Sequence, residues 1–352
     1  MKKYKLLILA ITLGLTLILS ACVPGPRVTG TPGISVSDEM AFVSYGNLVY
    51  SLDINSGAVE WSYPAEPSPQ VVFYAPALVT ESFVYVGDLA NNFHKIDKET
   101  GAVIWTYSGA GGFFIGKATE EDGIVYAPAN DGKLYALDKN GELLWTFETD
   151  RYIWAQPIIM DETIYVGSMD HFIYAISTDG EERWSVEMKG AIASAPAISE
   201  DGRTLFVSSL GKEMVALDTS NGASQWSFES NESIWGQSIL IDENLFLADS
   251  AGNIHALDAT NGEELWQEKV SSSVIGGLTA LDNGFVLATK EGLIKAYDFD
   301  GNSLWEATLD GETYQAPVTN GQVLIVGTIE GENLVYGFDI DGVQLWSTTP
   351  EN

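Results

Sequence analysis

Histidine and carboxylate side chains are the first places to look for chemistry, because they bind metals and transfer protons. The chain has three histidines, His94, His171 and His255. His94 and His255 both lie three residues before an aspartate, where other copies of the same local pattern carry a tyrosine: Tyr50, Tyr135 and Tyr336. A position shared in this way indicates packing. His171 has no partner at metal-ligand spacing, so we expect no metal site and no catalytic histidine.

Motifs of common hydrolases and nucleotide-binding enzymes do not occur in the sequence. The chain contains no G-x-S-x-G, no P-loop and no H-E-x-x-H. A pair of carboxylates for glycoside hydrolysis, brought together from distant parts of the chain, remains an open alternative. We therefore predict a protein without catalytic residues.

Aromatic residues accompanied by glutamines are the better candidates for ligand binding. Exposed rings beside amide groups at a concave surface suit a peptide or a sugar. The alternative, in which these rings only pack between strands, is equally compatible with the sequence. The predicted binding residues are Tyr74, Phe114, Trp154, Gln156, Trp235, Gln237, Tyr314 and Gln315.

The remaining tryptophans belong to a repeat in which glycine is followed four residues later by tryptophan. The spacing averages about 41 residues, a period typical of propeller blades or solenoid units. One tryptophan per copy at one position indicates a structural role, so we expect each ring to be buried between adjacent sheets. The eight tryptophans are Trp61, Trp105, Trp145, Trp184, Trp226, Trp266, Trp305 and Trp346, preceded by Gly57, Gly101, Gly141, Gly180, Gly222, Gly262, Gly301 and Gly342.

Each repeat reads as four short strands joined by turns, as in residues 191–229. Apolar alternation and Gly/Asn/Asp turns predict strands, and no window has helical periodicity. We therefore predict an all-β, eight-bladed β-propeller with four-stranded antiparallel blades. The last turn of each copy begins with an aspartate that we expect to cap the turn rather than to bind calcium. These residues are Asp53, Asp97, Asp138, Asp218, Asp258, Asp298 and Asp339, with Ser177 in the fourth copy.

The segment from Ala136 to Trp145, with its counterparts Ala216 to Trp226 and Ala256 to Trp266, resembles the tryptophan-docking motif of PQQ-type (pyrroloquinoline-quinone-type) propellers. The resemblance extends over all eight repeats. It implies a family that contains both quinoprotein dehydrogenases and non-catalytic scaffolds. The dehydrogenases use a vicinal Cys-Cys disulfide, which a chain with one cysteine cannot form. We therefore expect neither a PQQ cofactor nor enzymatic activity.

The N-terminus resembles that of bacterial lipoproteins. Lysines precede an apolar run from Leu6 to Leu19, and the chain continues Ser20-Ala21-Cys22, which is similar to a lipobox. The resemblance implies acylation of Cys22, the single cysteine. The prolines and glycines that follow predict a flexible tether. The predicted division is 1–21 lipoprotein signal peptide, 22–32 lipidated cysteine and tether, and 33–352 propeller.

The charge of the chain limits the partners it can have. The formal net charge is −32, which is unfavourable for binding nucleic acid or anionic headgroups, so membrane attachment should come from the acyl chains. A lipid-anchored propeller of this kind resembles the BamB-type scaffolds of outer-membrane β-barrel assembly. The sequence thus predicts a monomeric envelope scaffold outside the cytoplasm, with β-barrel assembly components as partners. A carbohydrate- or small-ligand-binding surface lipoprotein is the alternative, and a quinoprotein dehydrogenase is the least favoured.

Overall fold

The computed structural model describes residues 30–350, and within them every regular element is a β-strand. The strands form eight four-stranded sheets, each built from four consecutive strands paired antiparallel. The predicted all-β, eight-bladed propeller is therefore confirmed. The predicted signal peptide and Cys22 lie outside the described residues. No helix in residues 30–350 is long and apolar enough to cross a membrane.

The first four blades occupy the N-terminal half of the ring. Their strands are, for blade one, β1 (Gly33–Val36), β2 (Met40–Tyr45), β3 (Leu48–Asp53) and β4 (Val59–Tyr63); for blade two, β5 (Leu78–Val79), β6 (Phe83–Gly87), β7 (Phe93–Asp97) and β8 (Val103–Tyr107); for blade three, β9 (Thr119–Glu121), β10 (Ile124–Pro128), β11 (Lys133–Leu137) and β12 (Leu143–Glu148); for blade four, β13 (Ile158–Met160), β14 (Thr163–Gly167), β15 (Phe172–Ser177) and β16 (Glu182–Glu187).

The other four blades repeat this order. Their strands are, for blade five, β17 (Ala197–Ile198), β18 (Thr204–Ser209), β19 (Glu213–Asp218) and β20 (Ser224–Glu229); for blade six, β21 (Ile239–Ile241), β22 (Asn244–Ala248), β23 (Asn253–Asp258) and β24 (Glu264–Lys269); for blade seven, β25 (Leu278–Leu281), β26 (Gly284–Ala288), β27 (Leu293–Tyr297) and β28 (Ser303–Thr308); for blade eight, β29 (Val318–Thr319), β30 (Val323–Gly327), β31 (Val335–Asp339) and β32 (Gln344–Thr348).

Burial follows the position of a strand within its blade. The second and third strands are almost fully buried because both of their faces lie against neighbouring blades, as in β10 and β11. The fourth strand alternates between exposed and half-buried residues, as in β12, and the half-buried set includes the repeat tryptophan. The core is therefore a series of apolar clusters between adjacent blades, each formed by two sheets.

The contact between two adjacent blades, called a seam below, has the same geometry at all eight places. The indole N–H of each repeat tryptophan donates to a backbone carbonyl in the following blade, at 2.9–3.0 Å, and Trp346 of blade eight reaches blade one. The eight repeat indoles are thus all paired across a seam. The acceptor residues, in order from Trp61, are Lys98, Lys139, Thr178, Thr219, Ala259, Phe299, Ile340 and Ile54.

The repeat tryptophans pack between adjacent sheets, but they are not fully buried. Trp184 and Trp305 show this clearly: each packs against an apolar cluster between two blades, yet each is only half-buried. The reason is that the tryptophan lies on the fourth strand, which forms an edge of its sheet and leaves part of the ring in water. The same half-buried state is found for Trp61, Trp105, Trp145, Trp184, Trp226, Trp266, Trp305 and Trp346.

The repeat glycine supports the tryptophan of the preceding blade rather than its own. Gly180 has a φ of 88°, and a Cβ placed on it would lie 2.7 Å from Cδ2 of Trp145. The same holds at the ring closure, where a Cβ on Gly57 would lie 2.5 Å from Cε3 of Trp346. Only glycine combines this backbone conformation with room for the ring. The turn that leads to a repeat glycine is capped as expected. In blade three, before Gly141, Asp138 Oδ1 accepts a hydrogen bond from the backbone N–H of Asn140 at 2.8 Å.

Candidate functional site: the mouth of the central channel

The first strand of each blade lies at the centre of the ring. First strands of neighbouring blades contact one another, as β1 does with β5 and β29, and β21 does with β25. Because the strands of a blade alternate in direction, the loops that lead into the first strands all lie on one face of the ring. That face contains the channel mouth, meaning the surface formed by these loops around the channel.

The channel mouth contains a cavity of about 300 Å³. Six of the eight predicted binding residues line it: Trp154, Gln156, Trp235, Gln237, Tyr314 and Gln315. They come from the loops before blades four, six and eight, so folding brings together residues from distant parts of the sequence. No acidic residue lines this cavity in the described part of the chain. A ligand in this cavity therefore meets aromatic rings, amides and one lysine rather than carboxylates.

Trp154 and Gln156 already have partners inside the protein. The Trp154 indole N–H donates to Asn130 Oδ1 at 3.1 Å, and its ring stacks on Tyr152 with centroids 6.3 Å apart. The Gln156 amide donates to Thr119 Oγ1 at 3.3 Å. These contacts fix both side chains in place, so they form the rigid part of the mouth.

Tyr314 and Gln315 are also held by neighbours. The Tyr314 hydroxyl donates to Glu312 Oε2 at 2.5 Å, and Lys290 Nζ lies 5.5 Å from the ring centroid. The hydrogen bond to Glu312 and partial burial raise the pKa of the Tyr314 phenol above its usual value. Gln315 Oε1 accepts a long hydrogen bond of 3.4 Å from the Ile34 N–H. The phenol therefore stays protonated at neutral pH, and Tyr314 presents an uncharged ring.

Trp235 and Gln237 differ from the other members of the set. Trp235 is 37% exposed, Gln237 is also exposed, and neither side chain makes a hydrogen bond to another described residue. An exposed indole with a free N–H beside a free amide offers both an apolar surface and hydrogen-bonding groups. These two residues are the parts of the mouth most available to a ligand or partner.

The structure corrects the expectation for Phe114. This residue is fully buried and packs between blades two and three, with ring centroids 5.2 Å from Phe93 and 5.7 Å from Tyr135. Phe114 occupies in blade three the position that the buried Ile153 occupies in blade four. The residue of blade three that is equivalent to Trp154 is Ile115, and it does line the cavity. Side chains alternate along extended backbone, so a shift of one residue moves a ring from the channel into the core.

Tyr74 also differs from the expectation, although less sharply. It is partly buried and lies beside Gly30, and it does not line the cavity. In blade two the cavity is lined instead by Pro76, two residues later.

Lys117 belongs to the mouth although the sequence patterns did not single it out. It lines the mouth cavity and a second cavity that continues from it along the first strands. A signal for this position does exist in the sequence, because Lys117 in blade three occupies the position of Gln156 in blade four and of Gln237 in blade six.

None of the three histidines lines the mouth cavity; His94 and His255 are buried, and His171 is exposed in a turn. His94 is buried, with Nε2 3.0 Å from Asp88 Oδ2 and Nδ1 3.0 Å from the Tyr63 hydroxyl. His255 is buried with Nδ1 2.7 Å from Glu264 Oε1. No cluster of three or more metal-ligating side chains occurs within residues 30–350.

The chain is similar to known proteins in sequence and in fold. The family described as outer membrane protein assembly factor BamB matches residues 46–158, 153–275 and 250–352. The crystal structure of BamB from Moraxella catarrhalis superposes with a TM-score of 0.75 at 17% identity, covering 87% of this chain and 96% of that one. The computationally designed Ika8 protein gives a TM-score of 0.77 at 17% identity, covering 88% and 96%.

A comparison with curated proteins returned no match. The two structural similarities are below 25% identity and concern the fold. The family match is of a different kind, because its three segments run through almost the whole propeller, from the end of the second strand of blade one to the end of the chain. The chain therefore belongs to the outer membrane protein assembly factor BamB family of PQQ-like β-propellers.

Proposed function

We propose that this protein is a non-catalytic scaffold of the bacterial cell envelope that binds another protein through the channel mouth. Membership of the BamB family supports a scaffold role. The observation that carries the proposal is the pair Trp235 and Gln237, which are exposed at the mouth without internal partners. Components of β-barrel assembly are the partners that the family suggests, and the protein acts as a monomer.

The proposal includes a lipid anchor. Residues 1–21 are removed as a signal peptide, Cys22 is acylated, residues 22–32 form a tether and residues 33–352 form the propeller. This arrangement holds the ring at the periplasmic side of the outer membrane or at the outer face of the cytoplasmic membrane. The sequence Leu19-Ser20-Ala21-Cys22 supports it. Cys22→Ser should shift the protein from the detergent phase to the aqueous phase, whereas an aqueous wild-type protein would contradict the anchor.

The partner is tested by affinity capture from detergent-solubilised envelopes. The wild-type chain should recover a β-barrel assembly component, and Trp235→Ala combined with Gln237→Ala should lose it. Leu265→Ala is the control, because Leu265 is 53% exposed on the fourth strand β24 and does not line the cavity. Recovery of the same component by the double variant would exclude the mouth as the binding surface.

A carbohydrate- or small-ligand-binding role is the second candidate. The cavity of about 300 Å³ with two tryptophans and the free amide of Gln237 favours it. A glycan-array signal that disappears on Trp154→Ala or Trp235→Ala would support this role over the scaffold.

The proposal also excludes quinoprotein chemistry. The sequence has no second cysteine for the vicinal disulfide. After incubation with PQQ and Ca²⁺ the purified protein should not oxidise alcohols or sugars, and dye reduction above background with stoichiometric PQQ would contradict the proposal.

A further inference from the structure

Lys117 is the one non-exposed cationic residue in the described chain that has no hydrogen bond, ion pair or ring contact. Lys139, Arg151 and Lys269 also lack such side-chain contacts, but all three are exposed to water. An ammonium that is partly removed from water without a partner is unfavourable. Lys117 therefore differs from the other cations in needing a compensating group that the chain does not supply.

The position of Lys117 directs it into the channel. It belongs to the ring of residues, one per blade, that face the centre just before each first strand; others are Pro76, Gln156, Ala195, Gln237 and Ala316. Lys117 also borders the deeper cavity of about 350 Å³, together with Gln237, Leu278 and Val318 from the far side of the ring. The side chain is thus available to anything that occupies the channel.

The surroundings of Lys117 contain no negative charge. Neither the mouth cavity nor the deeper cavity is lined by Asp or Glu among the described residues, although the chain has 49 acidic residues. Burial lowers the pKa of the Lys117 ammonium, and no nearby carboxylate counteracts it. Neutral hydrogen-bonding groups, the Gln237 amide and the Trp235 indole, are close enough to line the same cavity.

We propose that the central channel is a receptor for a carboxylate group, which Lys117 pairs with while Gln237 and Trp235 contact the body that carries it. One ammonium matches one negative charge. A polyanion such as a nucleotide would meet a single cation inside a protein with a net charge of −32 and would be repelled. The carboxylate can belong to a free small acid or to the C-terminus of a peptide. This site goes beyond the proposed scaffold role and does not depend on it.

The test observes Lys117 directly in the full chain, purified in detergent. Reductive methylation with ¹³C-formaldehyde labels every lysine and retains its charge, and Lys117→Gln identifies the Lys117 signal. Sodium acetate at constant ionic strength should shift that signal saturably, while the signal of the exposed Lys139 should follow only the bulk salt. If the Lys117 signal moves no more than that of Lys139, the proposal is overturned.

Two further probes separate the sources of the carboxylate. An N-acetylated tripeptide ending in phenylalanine is titrated with a free C-terminus and with an amidated one. Tighter binding than acetate by the free acid indicates a peptide terminus, and binding of acetate alone indicates a small acid. In the first case Lys117→Gln should weaken binding about tenfold or more through loss of a charge-assisted hydrogen bond. If the amidated peptide binds as tightly as the free acid, and both bind measurably, the proposal is overturned.

Thermal melting without ligand provides an independent measurement. Lys117→Met retains the long side chain and removes the unpaired charge, so its melting temperature should exceed that of the wild type, whereas Lys139→Met should change it little. A lower melting temperature for Lys117→Met, with no saturable acetate shift, would assign Lys117 to packing and overturn the proposal. The capture experiment with envelope proteins does not enter this result, so the two proposals fail separately.

Discussion

At the seams a tryptophan, a glycine and a backbone carbonyl recur in the same arrangement, whereas at the channel mouth equivalent positions differ from blade to blade. The position of Lys117 in blade three is glutamine in blades four and six and alanine in blade five. The tryptophan ring and the glycine beside it occupy the same space at every seam, so these two positions do not vary. Side chains at the mouth face a cavity and are free to differ, which makes departures from the repeat the better guide to function.

Removing a seam tryptophan should have the largest effect. Trp145→Ala deletes a ring packed between blades three and four and its hydrogen bond to the Thr178 carbonyl. We expect a loss of about 3–5 kcal/mol in the free energy of unfolding. Urea unfolding followed by circular dichroism measures it. A loss of less than about 1 kcal/mol would contradict the structural role of the seam tryptophans.

Filling the space under a seam tryptophan should have the next largest effect. Gly180→Ala combines a positive φ with a clash against Trp145, and Gly123→Ala has a similar φ of 81° with nothing within 4 Å of its Cβ. The control should lose about 1–2 kcal/mol from backbone strain, and Gly180→Ala about 1–3 kcal/mol more from overpacking. Equal losses in the two unfolding curves would mean that only the backbone conformation requires glycine.

The pH dependence of stability tests a seam that carries polar groups. Burial of the Asp88 carboxyl acts to raise its pKa, but hydrogen bonds from His94 and Asn92 outweigh this and lower it. The folded-state pKa is then below the unfolded value of about 3.9. The stabilisation is therefore present above about pH 4 and is lost as the pH falls through the folded-state pKa.

Asp88→Asn should remove this contribution. We expect a loss of about 1–3 kcal/mol at pH 7 from the buried hydrogen bonds, and a shallower decline of stability below about pH 4 than in the wild type. Asp161→Asn, at an exposed turn, is the control and should change stability by less than about 0.5 kcal/mol at pH 7. Parallel wild-type and Asp88→Asn curves below about pH 4 would contradict the assignment.

Substitution at the mouth should have the smallest effect on stability. Trp235→Ala removes a ring that is 37% exposed and makes no internal hydrogen bond, so we expect a loss of less than about 1 kcal/mol. Thermal melts of Trp235→Ala and Trp145→Ala side by side provide the comparison. If the two melting temperatures fall by the same amount, Trp235 belongs to the core and the channel mouth is not a binding surface.

The sequence is sufficient to predict the architecture because the period is carried by residues that cannot be replaced. Gly141 and Trp145 form one motif in the sequence, but they contact different blades. Gly141 lies against Trp105 of the preceding blade, and Trp145 donates to the Thr178 carbonyl of the following blade. Spacing along the chain does not reveal this, since the partners lie in other blades. It also does not reveal that rings such as Trp184 and Trp305 stay half-buried, because the order of strands within a blade decides that.

The candidate site can be predicted only in part. Trp154 and Trp235, which stand outside the repeat, do line one cavity, while their role in binding stays a prediction. Phe114 occupies the position of the buried Ile153, one residue before the position of Trp154, and alternation along the backbone turns its ring into the core. The isolation of Lys117 cannot be predicted, because it depends on which acidic groups the folded ring keeps out of the channel.

Each blade consists of four consecutive strands, and the ring closes where β1 meets β29 and Trp346 donates to the Ile54 carbonyl at 3.0 Å. The first and last described blades therefore meet at a boundary between modules and not within a sheet. A circular permutant with the propeller ends joined and new termini between β16 and β17 would retain all eight tryptophan contacts. The order of the modules along the chain is then separable from their order around the ring, because every seam is formed by the same tryptophan contact.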